Sequence, residues 1–580
     1  MTKILIILLI LVVSIVIELK TVFERIGSTE CLLQISIFLI ENENDYGLDY
    51  TFPILQNQNI DKENIHLWIG YITLKENDNV DRLKKWLNAS EFRGIYMTER
   101  RVNYDELGNW GKGNVTFEEY GDRINFNLVY KLILEMRKTA MKMALNKNCK
   151  CIMFMEGDVL LVNKKTIEMS LQYENMTWFA PMLDFAFSGN TVDSDYKYSN
   201  CIEDDKSIII PPDFDQILTR QSNGIFSCPI LHSLYFINLQ RNEPYSNFFN
   251  LHNNDQGWTE DRFVFLYQMY TLGIKPYIFN FEFYGYIIPV KSSIFNQIDK
   301  KSLFKQALLE INNYHDSLVH DKTLQIPHIV DSIGFDKIYF INLERRKERH
   351  DKMMKNFEIL SLKVKWFKAH DANDINNETL HRLNINVMNG YRCPLSGRKM
   401  NMGEVACFIS HFDIWTKTII NKYKMVLILE DDIRFHAYFT NILKDALSEL
   451  ATLTIPWDMI YIGRKNLMEF EEYKVSNSQF FVYPNYSHWT IGYILSNRGA
   501  RKLINSQPLS NIIPIDEFLP IMYKSSSLYY AYQHFYNDNF IALSIEPTLI
   551  EPTHYTHDED YYSDTEYTNT LIYMDYKDEL

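Results

Sequence analysis

The chain of 580 residues has few of the residues that mark specialised classes of protein. Its 21 glycines and 17 prolines are too scarce for a collagen-like or low-complexity chain, so disorder is excluded as the main state. Lys and Arg (59) are outnumbered by Asp and Glu (74), and the net charge of −15 argues against a nucleic-acid partner. The same acidic balance suits a basic macromolecular substrate.

Cysteine is also scarce, with seven residues in the whole chain. This number is too low for a disulfide scaffold, and no pair has the Cys-x-x-Cys spacing of a structural zinc site. One or two disulfides are compatible with an oxidising compartment, and the odd number leaves at least one thiol or an intermolecular link. The sequence does not decide between these arrangements.

The N-terminal apolar run, Ile4 to Ile17, is too short to span a membrane. It contains 14 uncharged residues after Lys3, whereas a transmembrane helix needs about 20 apolar residues. Its length is typical of the apolar region of a secretory signal peptide. We therefore expect a signal peptide over residues 1–20, with a short signal-anchor as the alternative.

The last four residues, Lys577, Asp578, Glu579 and Leu580, form the retrieval signal of the endoplasmic reticulum. Together with the signal peptide, they predict a soluble protein of the reticulum lumen that binds a retrieval receptor. Five Asn-x-Ser/Thr acceptors agree with this compartment and are candidate N-glycosylation sites. They are Asn88, Asn114, Asn175, Asn377 and Asn485.

The length of the chain predicts two domains, because a single hydrophobic core stops growing at roughly 250–300 residues. Each half has a helical stripe, then a continuous apolar strand that ends in acids: Cys151 to Met155 in the first half and Met425 to Leu429 in the second. Alternating strands and helices predict parallel sheets covered by helices. We expect domains over 30–295 and 333–560, a linker over 296–332 and an acidic tail over 561–580.

The acids after these strands are candidate metal ligands. Ligands bind outside the carboxyl ends of the strands in an open α/β sheet. Hard cations such as Mg²⁺ and Mn²⁺ prefer carboxylate oxygen, and they clamp a leaving diphosphate. The candidates are Glu156 and Asp158 in the first half, and Asp431 and Asp432, preceded by Glu430, in the second. The alternative is a strand-end turn with solvated acids. No Walker loop and no Gly-x-Gly-x-x-Gly occurs, which disfavours nucleotide hydrolases and dehydrogenases.

Several blocks of sequence resemble glycosyltransferase family 25. In the second half they are 342–349 (NLERRKER), 403–411 (GEVACFISH), 429–433 (LEDDI), 457–465 (WDMIYIGRK), 514–520 (PIDEFLP), Glu546-Pro547 and 552–555 (PTHY). In the first half the resemblance depends on 180–184 (APMLD), 229–233 (PILHS) and Tyr284-Gly285. It spans about 30–560 and is similar to the animal procollagen galactosyltransferase group of that family.

This resemblance implies two tandem GT-A-like (Rossmann-like) glycosyltransferase domains of the α/β class. It further implies transfer of β-galactose from UDP-galactose to hydroxylysine of procollagen or other collagen-domain chains, with Mn²⁺ as cofactor. Family members carry Asp-x-Asp at the end of the first domain's strand, where this chain has Glu156-Gly157-Asp158. That departure counts against the metal site of the first domain but not against its fold.

Roles for individual residues follow from the chemistry of inversion, which needs a base to deprotonate the attacking hydroxyl. Asp516 and Glu517 are the candidates for this base, and a helix-starting acidic pair is the alternative. Contacts with the donor nucleotide are predicted for a further set of residues, some of which have structural alternatives such as a solvated face or a core histidine. The set comprises Arg345, Arg346, Asp78, Glu430 and His411.

Two other functions remain open at this point. One is a catalytically inactive family member that acts as an adhesion or binding protein, and the other is a transferase with a different UDP-sugar donor. The sequence also leaves the oligomeric state open, with a homodimer among the options.

Overall fold

The computed structural model divides into two compact units, Met1–Pro327 and His328–Leu580, which are described here one at a time. It describes residues 20–26, 30–40, 46–73, 78–101, 123–173, 175–185, 201–202, 214–228, 230–249, 265, 268–288, 300–315, 318–324, 330–394, 396–436, 438–526, 528–532 and 539–553. Within these ranges no helix is long and apolar enough to cross a membrane. The run Ile4 to Ile17 and the tail over 561–580 lie outside them.

The first unit contains a mixed sheet of nine strands. The strands of this unit are β1 (Lys20–Arg25), β2 (Leu33–Ile40), β3 (Ile65–Thr73), β4 (Gly94–Arg101), β5 (Cys151–Glu156), β6 (Trp178–Pro181), β7 (Asp184–Phe185), β8 (Cys201–Ile202), β9 (Ile225–Ser227), β10 (Ile230–Leu231), β11 (Leu234–Asn238), β12 (Pro276–Phe279) and β13 (Tyr286–Ile287). Nine of these strands form the large sheet, in the order β1-β4-β3-β2-β5-β11-β6-β12-β9. Its neighbouring strands β4, β3, β2 and β5 are parallel to one another. These parallel strands are nearly continuous apolar runs because both of their faces are buried.

Helices cover this sheet. They are α1 (Leu48–Gln56), α2 (Asp78–Ala89), α3 (Arg123–Asn146), α4 (Thr166–Ser170), α5 (Phe214–Leu218) and α6 (Lys300–Tyr314). The predicted strand at 151–155 is confirmed, and helix α3 is the predicted helical stripe that precedes it. Cys31 and Cys149 form a disulfide that joins the chain before β2 to the chain before β5.

Helix α6 falls inside the segment predicted as a linker. Its side chains Phe304, Ala307 and Ile311 are buried, and the Phe304 ring lies edge-on to Tyr46 at 5.2 Å. The first unit accordingly extends to Pro327, beyond the predicted boundary at 295. The sequence composition was misleading here because the polar residues of α6 conceal an apolar face that packs on the first unit.

The second unit is built around a sheet of seven strands. Its strands are β14 (Lys337–Asn342), β15 (Val364–Lys368), β16 (Met425–Leu429), β17 (Ile433–Phe435), β18 (Met459–Asn466), β19 (Phe481–Val482), β20 (Ser487–Ser496), β21 (Ala542–Ile545) and β22 (Ile550–Pro552). The large sheet has the order β15-β14-β16-β20-β18-β21-β19, with β15, β14 and β16 parallel. The predicted strand at 425–429 is confirmed.

The helices of the second unit position residues around one edge of this sheet. They are α7 (Lys347–Leu360), α8 (Asn377–Arg382), α9 (Met402–Ile420), α10 (Phe439–Thr452), α11 (Asn497–Asn505), α12 (Ile515–Met522) and α13 (Tyr529–Tyr532). Helix α9 begins at a capping box in which Asn401 and Glu404 satisfy each other's backbone N–H groups. The two units therefore confirm the predicted tandem α/β architecture, each with its own buried core.

Candidate active site

The carboxyl ends of β14 and β16 meet at one edge of the second sheet, because the two strands are parallel neighbours. Asn342 ends β14, and its Nδ2 donates to Asp431 Oδ2 at 2.8 Å. Arg349, in the first turns of α7, donates from Nη1 to Asp431 Oδ1 at 3.2 Å and lies 3.9 Å from Asp432 Oδ2. Asp431 and Asp432 are thus held side by side at the strand end by an amide and a guanidinium group.

This arrangement is electrostatically costly for Asp431. Burial and the neighbouring charge of Asp432 raise its pKa to about 6, although Arg349 and Asn342 act in the opposite direction. A single guanidinium group therefore does not fully compensate two buried carboxylates. The site favours an additional positive charge beside these oxygens.

Glu430 is held by a chain of buried hydrogen bonds that starts in helix α9. The indole N–H of Trp415 donates to the hydroxyl of Tyr493 at 2.9 Å, and this hydroxyl lies 2.9 Å from His411 Nδ1. His411 Nε2 is 3.2 Å from Glu430 Oε1, which also accepts from Thr490 at 2.7 Å. Burial alone raises the pKa of Glu430, but the contacts with His411, Thr490 and Arg349 outweigh it, and the pKa lies below its ordinary value.

Helix α12 brings two further acids to the same place. Glu517 is 2% exposed, and it accepts from the Tyr486 hydroxyl at 2.8 Å and contacts His488 Nε2 at 3.1 Å. Burial raises the pKa of Asp516 to about 6. The negative charges of Glu430 and Glu517 also raise it, whereas the positive charge of His488 lowers it. The Oδ1 atom of Asp516 is buried and has no hydrogen-bond partner among the described residues.

These groups surround one cavity of about 530 Å³. Its lining includes Asn342, Arg345, Arg349, Arg398, Glu404, Cys393, Cys407, His411, Glu430, Asp431, Asp432, His488, Trp489, Thr490, Asp516 and Glu517. The cavity therefore combines a carboxylate pair, three arginines, an aromatic ring and a buried acid with a raised pKa. A concave site with these groups is able to bind a phosphorylated sugar donor and to remove a proton from an attacking hydroxyl.

The two arginines predicted to contact the donor, Arg345 and Arg346, have different surroundings in the structure. Arg345 lines the cavity, where its Nε donates to Asp371 Oδ2 at 2.6 Å, whereas Arg346 is not part of the lining and lies 3.5 Å from Glu348. Arg349 was not singled out from the sequence, although it belongs to the same basic block, 345–349. Its place in the first turn of the helix that follows β14 was the available signal.

The first unit has a comparable strand end at β5, but its acids have different partners. Ser233 donates from its hydroxyl to Glu156 Oε2 at 3.2 Å, and His232 Nδ1 contacts that same hydroxyl at 2.8 Å. Asp158 is 3% exposed and accepts from the Tyr46 hydroxyl at 3.1 Å. The motif residues His232 and Ser233 are therefore brought to the acids of the first unit.

A second motif of the first unit braces the loop that follows Asp158. Tyr286 exchanges both backbone hydrogen bonds with Leu160, next to Gly285. A Cβ atom at Gly285 would lie 2.0 Å from the Leu160 carbonyl oxygen, and φ of Gly285 is +155°. The glycine is required here because no other residue allows the two backbones to approach so closely.

Two family models match the chain. The model described as "Glycosyltransferase family 25 (LPS biosynthesis protein)" covers residues 335–519, and "Glycosyltransferase family 25, N-terminal domain" covers residues 33–306. A "Glycosyltransferase 25 family member" of Aedes aegypti is 32% identical over 91% of this chain and 86% of its own length. The chain belongs to glycosyltransferase family 25.

Other family 25 relatives differ in the activity that their names state. "Procollagen galactosyltransferase 2" of Mus musculus is 31% identical over 91% of this chain and 82% of its own length. "Probable inactive glycosyltransferase 25 family member 3" of Bos taurus is 30% identical over 75% of this chain and 73% of its own. The solved mannosyltransferase PcManGT from Pyrobaculum calidifontis, in complex with GDP-Man and Mn²⁺, is 8% identical over 53% of this chain and 70% of its own, with a TM-score of 0.27.

The remaining predicted positions of this family 25 glycosyltransferase differ in accessibility. Asn88 and Asn175 are exposed, whereas Asn485 is half-buried and its Nδ2 donates to the Phe470 carbonyl at 3.1 Å. Asn377 lies in α8, and Asp78 begins α2, but their side chains are outside the described residues. Asn114 and the terminal residues Lys577, Asp578, Glu579 and Leu580 are also outside them.

Proposed function

We propose that this protein transfers galactose from UDP-galactose to hydroxylysine of collagen-like chains, with inversion, in the cavity of the second unit. The observation that carries the proposal is that Asp431, Asp432 and Asp516 line one cavity together with arginines that suit a diphosphate. The donor and the acceptor are inferred from relatives that are named procollagen galactosyltransferases.

Asp431 and Asp432 fit a hard divalent cation, which we propose to be Mn²⁺. Both side chains offer carboxylate oxygen, and the pKa of Asp431 is raised by burial and by Asp432, as expected of a pair that lacks sufficient positive charge. When bound, such a cation stabilises the negative charge that develops on the leaving diphosphate. Glu156 and Asp158 are the corresponding pair of the first unit, where Glu156 accepts from Ser233.

Asp516 is the better candidate for the general base, and Glu517 for a positioning residue. A base should be ionised at neutral pH but retain affinity for a proton, and a pKa near 6 meets both conditions. Glu517 instead accepts a hydrogen bond from Tyr486 and contacts His488. Burial lowers the pKa of His488, but its contact with Glu517 and the negative charges of Asp516 and Glu517 outweigh burial and raise it above its ordinary value. Glu517 therefore holds His488 beside Asp516, and both of its oxygens already accept hydrogen bonds from Tyr486.

Arg345 and Arg349 are proposed to contact the diphosphate of the donor. Both line the cavity at the ends of β14 and α7, and guanidinium groups bind phosphate oxygens with two parallel hydrogen bonds. Arg349 also lies within 4 Å of both carboxylates of the Asp431–Asp432 pair. His411 acts through Glu430, which it contacts at 3.2 Å.

An assay with several donors tests the activity against its two alternatives. The purified chain is incubated with UDP-galactose, UDP-glucose or UDP-N-acetylglucosamine and a hydroxylysine peptide, with and without Mn²⁺. We expect β-galactosyl-hydroxylysine only with UDP-galactose and Mn²⁺. Transfer of another sugar would show that the donor is not UDP-galactose. Absence of transfer from every donor would favour a catalytically inactive family member, and one relative bears the name "Probable inactive glycosyltransferase 25 family member 3".

The second unit also permits a direct test of the base. Asp516→Asn keeps the shape of the side chain but removes the proton acceptor, so kcat should fall by about 10²–10⁴-fold. Glu517→Gln is the matched control on the neighbouring residue, and it should reduce kcat less while altering the His488 environment. If Glu517→Gln lowers kcat more than Asp516→Asn, the two roles are reversed.

We also propose that the protein resides in the lumen of the endoplasmic reticulum and binds a retrieval receptor. The Cys31–Cys149 disulfide supports an oxidising compartment. Removal of Lys577–Leu580 should release the chain into the medium, and removal of Asn-linked sugar should lower its apparent mass. Retention of the truncated chain, or an unchanged mass, would contradict this location.

A further inference from the structure

A second group of ligand-type side chains lines the cavity, separate from the Asp431–Asp432 pair. Cys407 and His411 are four residues apart on α9 and therefore share one face of the helix. Glu430 follows β16 directly opposite them. The sulfur of Cys407, a ring nitrogen of His411 and a carboxylate oxygen of Glu430 all lie within 4.8 Å of one another.

These separations are close to those around a tetrahedral zinc ion. Bonds of about 2.0–2.3 Å from Zn²⁺ to nitrogen, oxygen and sulfur place neighbouring ligand atoms roughly 3.3–3.7 Å apart. The His411 Nε2–Glu430 Oε1 distance is 3.2 Å, so this pair already matches. The thiol needs at most a shift of about 1 Å, which a rotation of a partly exposed Cys407 side chain supplies.

Hydrogen bonds from neighbouring side chains orient the other two ligands, His411 and Glu430. A histidine that binds a metal through Nε2 donates its other N–H to an outer acceptor. The Tyr493 hydroxyl, 2.9 Å from His411 Nδ1, is able to accept this hydrogen bond while Trp415 fixes its position. Glu430 is oriented in turn by the Thr490 hydroxyl at 2.7 Å.

We propose that Cys407, His411 and Glu430 form a binding site for a thiophilic divalent cation such as Zn²⁺, distinct from the hard-cation pair Asp431 and Asp432. Thiolate, imidazole and carboxylate are zinc ligands, whereas Mn²⁺ and Mg²⁺ favour oxygen alone. Binding converts the Cys407 thiol to a thiolate, and its proton passes to solvent. All three ligands line the cavity, so the fourth coordination position is left for water.

Occupancy of this site has a consequence that rests on the proposed function. A cation held by Glu430 and His411 occupies the cavity next to Asp431 and Asp516, where donor and acceptor have to meet. Zn²⁺ therefore acts as an inhibitor of sugar transfer that does not compete for the Asp431–Asp432 pair. Binding itself does not depend on whether the cavity transfers galactose.

Cobalt provides a probe of the site that is independent of activity, because a thiolate–Co²⁺ bond has a charge-transfer absorption band. The full-length chain is freed of metal by a chelator and titrated with Co²⁺ in the presence of excess Mn²⁺. We expect this band at a stoichiometry of one, displaced by Zn²⁺. Cys407→Ser should abolish the band and weaken Zn²⁺ binding at least about tenfold, as removal of one ligand does.

Cys393→Ser is the matched control, since Cys393 is the other free cysteine in the cavity lining but is not part of the ligand group. It should retain the band and the affinity for Zn²⁺. Absence of a band in the wild type, its persistence in Cys407→Ser, or its loss in Cys393→Ser would each overturn the proposal. His411→Ala provides a second variant, which should lower Zn²⁺ affinity even if Cys407→Ser folds poorly.

Inhibition is measured afterwards and separately. At saturating Mn²⁺, Zn²⁺ should inhibit galactose transfer by the wild type and by Cys393→Ser. Cys407→Ser should need at least about tenfold more Zn²⁺ for the same inhibition. A chain that shows the cobalt band but transfers no sugar would refute the proposed function and leave the metal site standing.

Discussion

In each unit a buried strand is followed by acidic residues at its carboxyl end, but these acids have different hydrogen-bond partners in the two units. In the first unit, hydroxyl groups of Ser233 and Tyr46 donate to Glu156 and Asp158. In the second unit, Arg349 contacts Asp431 and His411 contacts Glu430. The contacts named in the first unit come from hydroxyl groups, whereas a guanidinium group faces the carboxylates that converge in the second unit.

The second unit also gathers more acids than its cations compensate. Burial and neighbouring carboxylates hold the pKa values of Asp431 and Asp516 at about 6 each. Charge that is costly in the folded state is retained where it serves binding or proton transfer. On this comparison we propose that the chemistry takes place in the second unit.

Among the acids that follow the two strands, the largest effect is expected at Asp432 of the second unit. Asp432→Asn preserves the shape of the side chain but removes a charge that a bound cation needs, so galactose transfer should fall by about 10²–10³-fold. The rate is measured at saturating Mn²⁺ and UDP-galactose, and a thermal melt verifies that the variant folds. Full activity in this variant would remove the second unit as the seat of the chemistry.

The disulfide gives a second difference between the units. Replacing both Cys31 and Cys149 by Ser should destabilise the first unit by about 2–4 kcal/mol, because the unfolded chain loses a constraint. Hydrogen exchange should increase in β2, β3 and β5 while β14 and β16 keep their protection. Cys393→Ser is the control, since this thiol is free. Equal loss of protection in both units would contradict the prediction.

The raised pKa of Asp516 predicts an effect on stability whose size depends on pH. Its folded pKa, raised by burial to about 6, lies above the ordinary value of 3.8, so the ionised carboxylate destabilises the fold above pH 6. This cost decreases as the pH falls from 6 towards 4. In metal-free buffer, Asp516→Asn should be more stable than the wild type by about 1–3 kcal/mol at pH 7.5.

Urea unfolding at pH 7.5 and at pH 4 measures this difference. The advantage of Asp516→Asn should largely disappear at pH 4, because the wild-type carboxyl is then protonated in the folded state and the pH is close to its ordinary pKa of 3.8. An advantage that is the same at both pH values would show that packing, not charge, is responsible.

The smallest effect is expected at Glu156 of the first unit. Glu156→Gln retains an oxygen that is able to accept from Ser233, and this pair already departs from the Asp-x-Asp pattern of the family. We expect less than about a fivefold change in transfer, or roughly 1 kcal/mol or less. The same assay as for Asp432→Asn measures it. A loss as large as that of Asp432→Asn would make both units necessary for the reaction.

Much of the fold followed from local patterns. The strands at Met425–Leu429 and Cys151–Glu156 were predictable because parallel strands buried on both faces are continuous apolar runs. Helix α9 was predictable from its apolar spacing, with the capping residues Asn401 and Glu404 at its start. Helix α6 was missed because its amphipathic face is obscured by a polar composition.

The sequence by itself determined the family blocks, the two apolar strands and the acids that follow each of them. Tertiary structure decided which of these residues share a cavity, because Asp516 on α12 and Asp431 after β16 are distant in sequence and meet only through the sheet. Tertiary structure also decided the different surroundings of Asp516 and Glu517, on which their different proposed roles depend. The two acids are adjacent in sequence, but Tyr486 and His488 reach Glu517 and leave Asp516 Oδ1 without a hydrogen-bond partner among the described residues. Burial and long-range charge set proton affinity, and neither is encoded in the spacing of neighbouring residues.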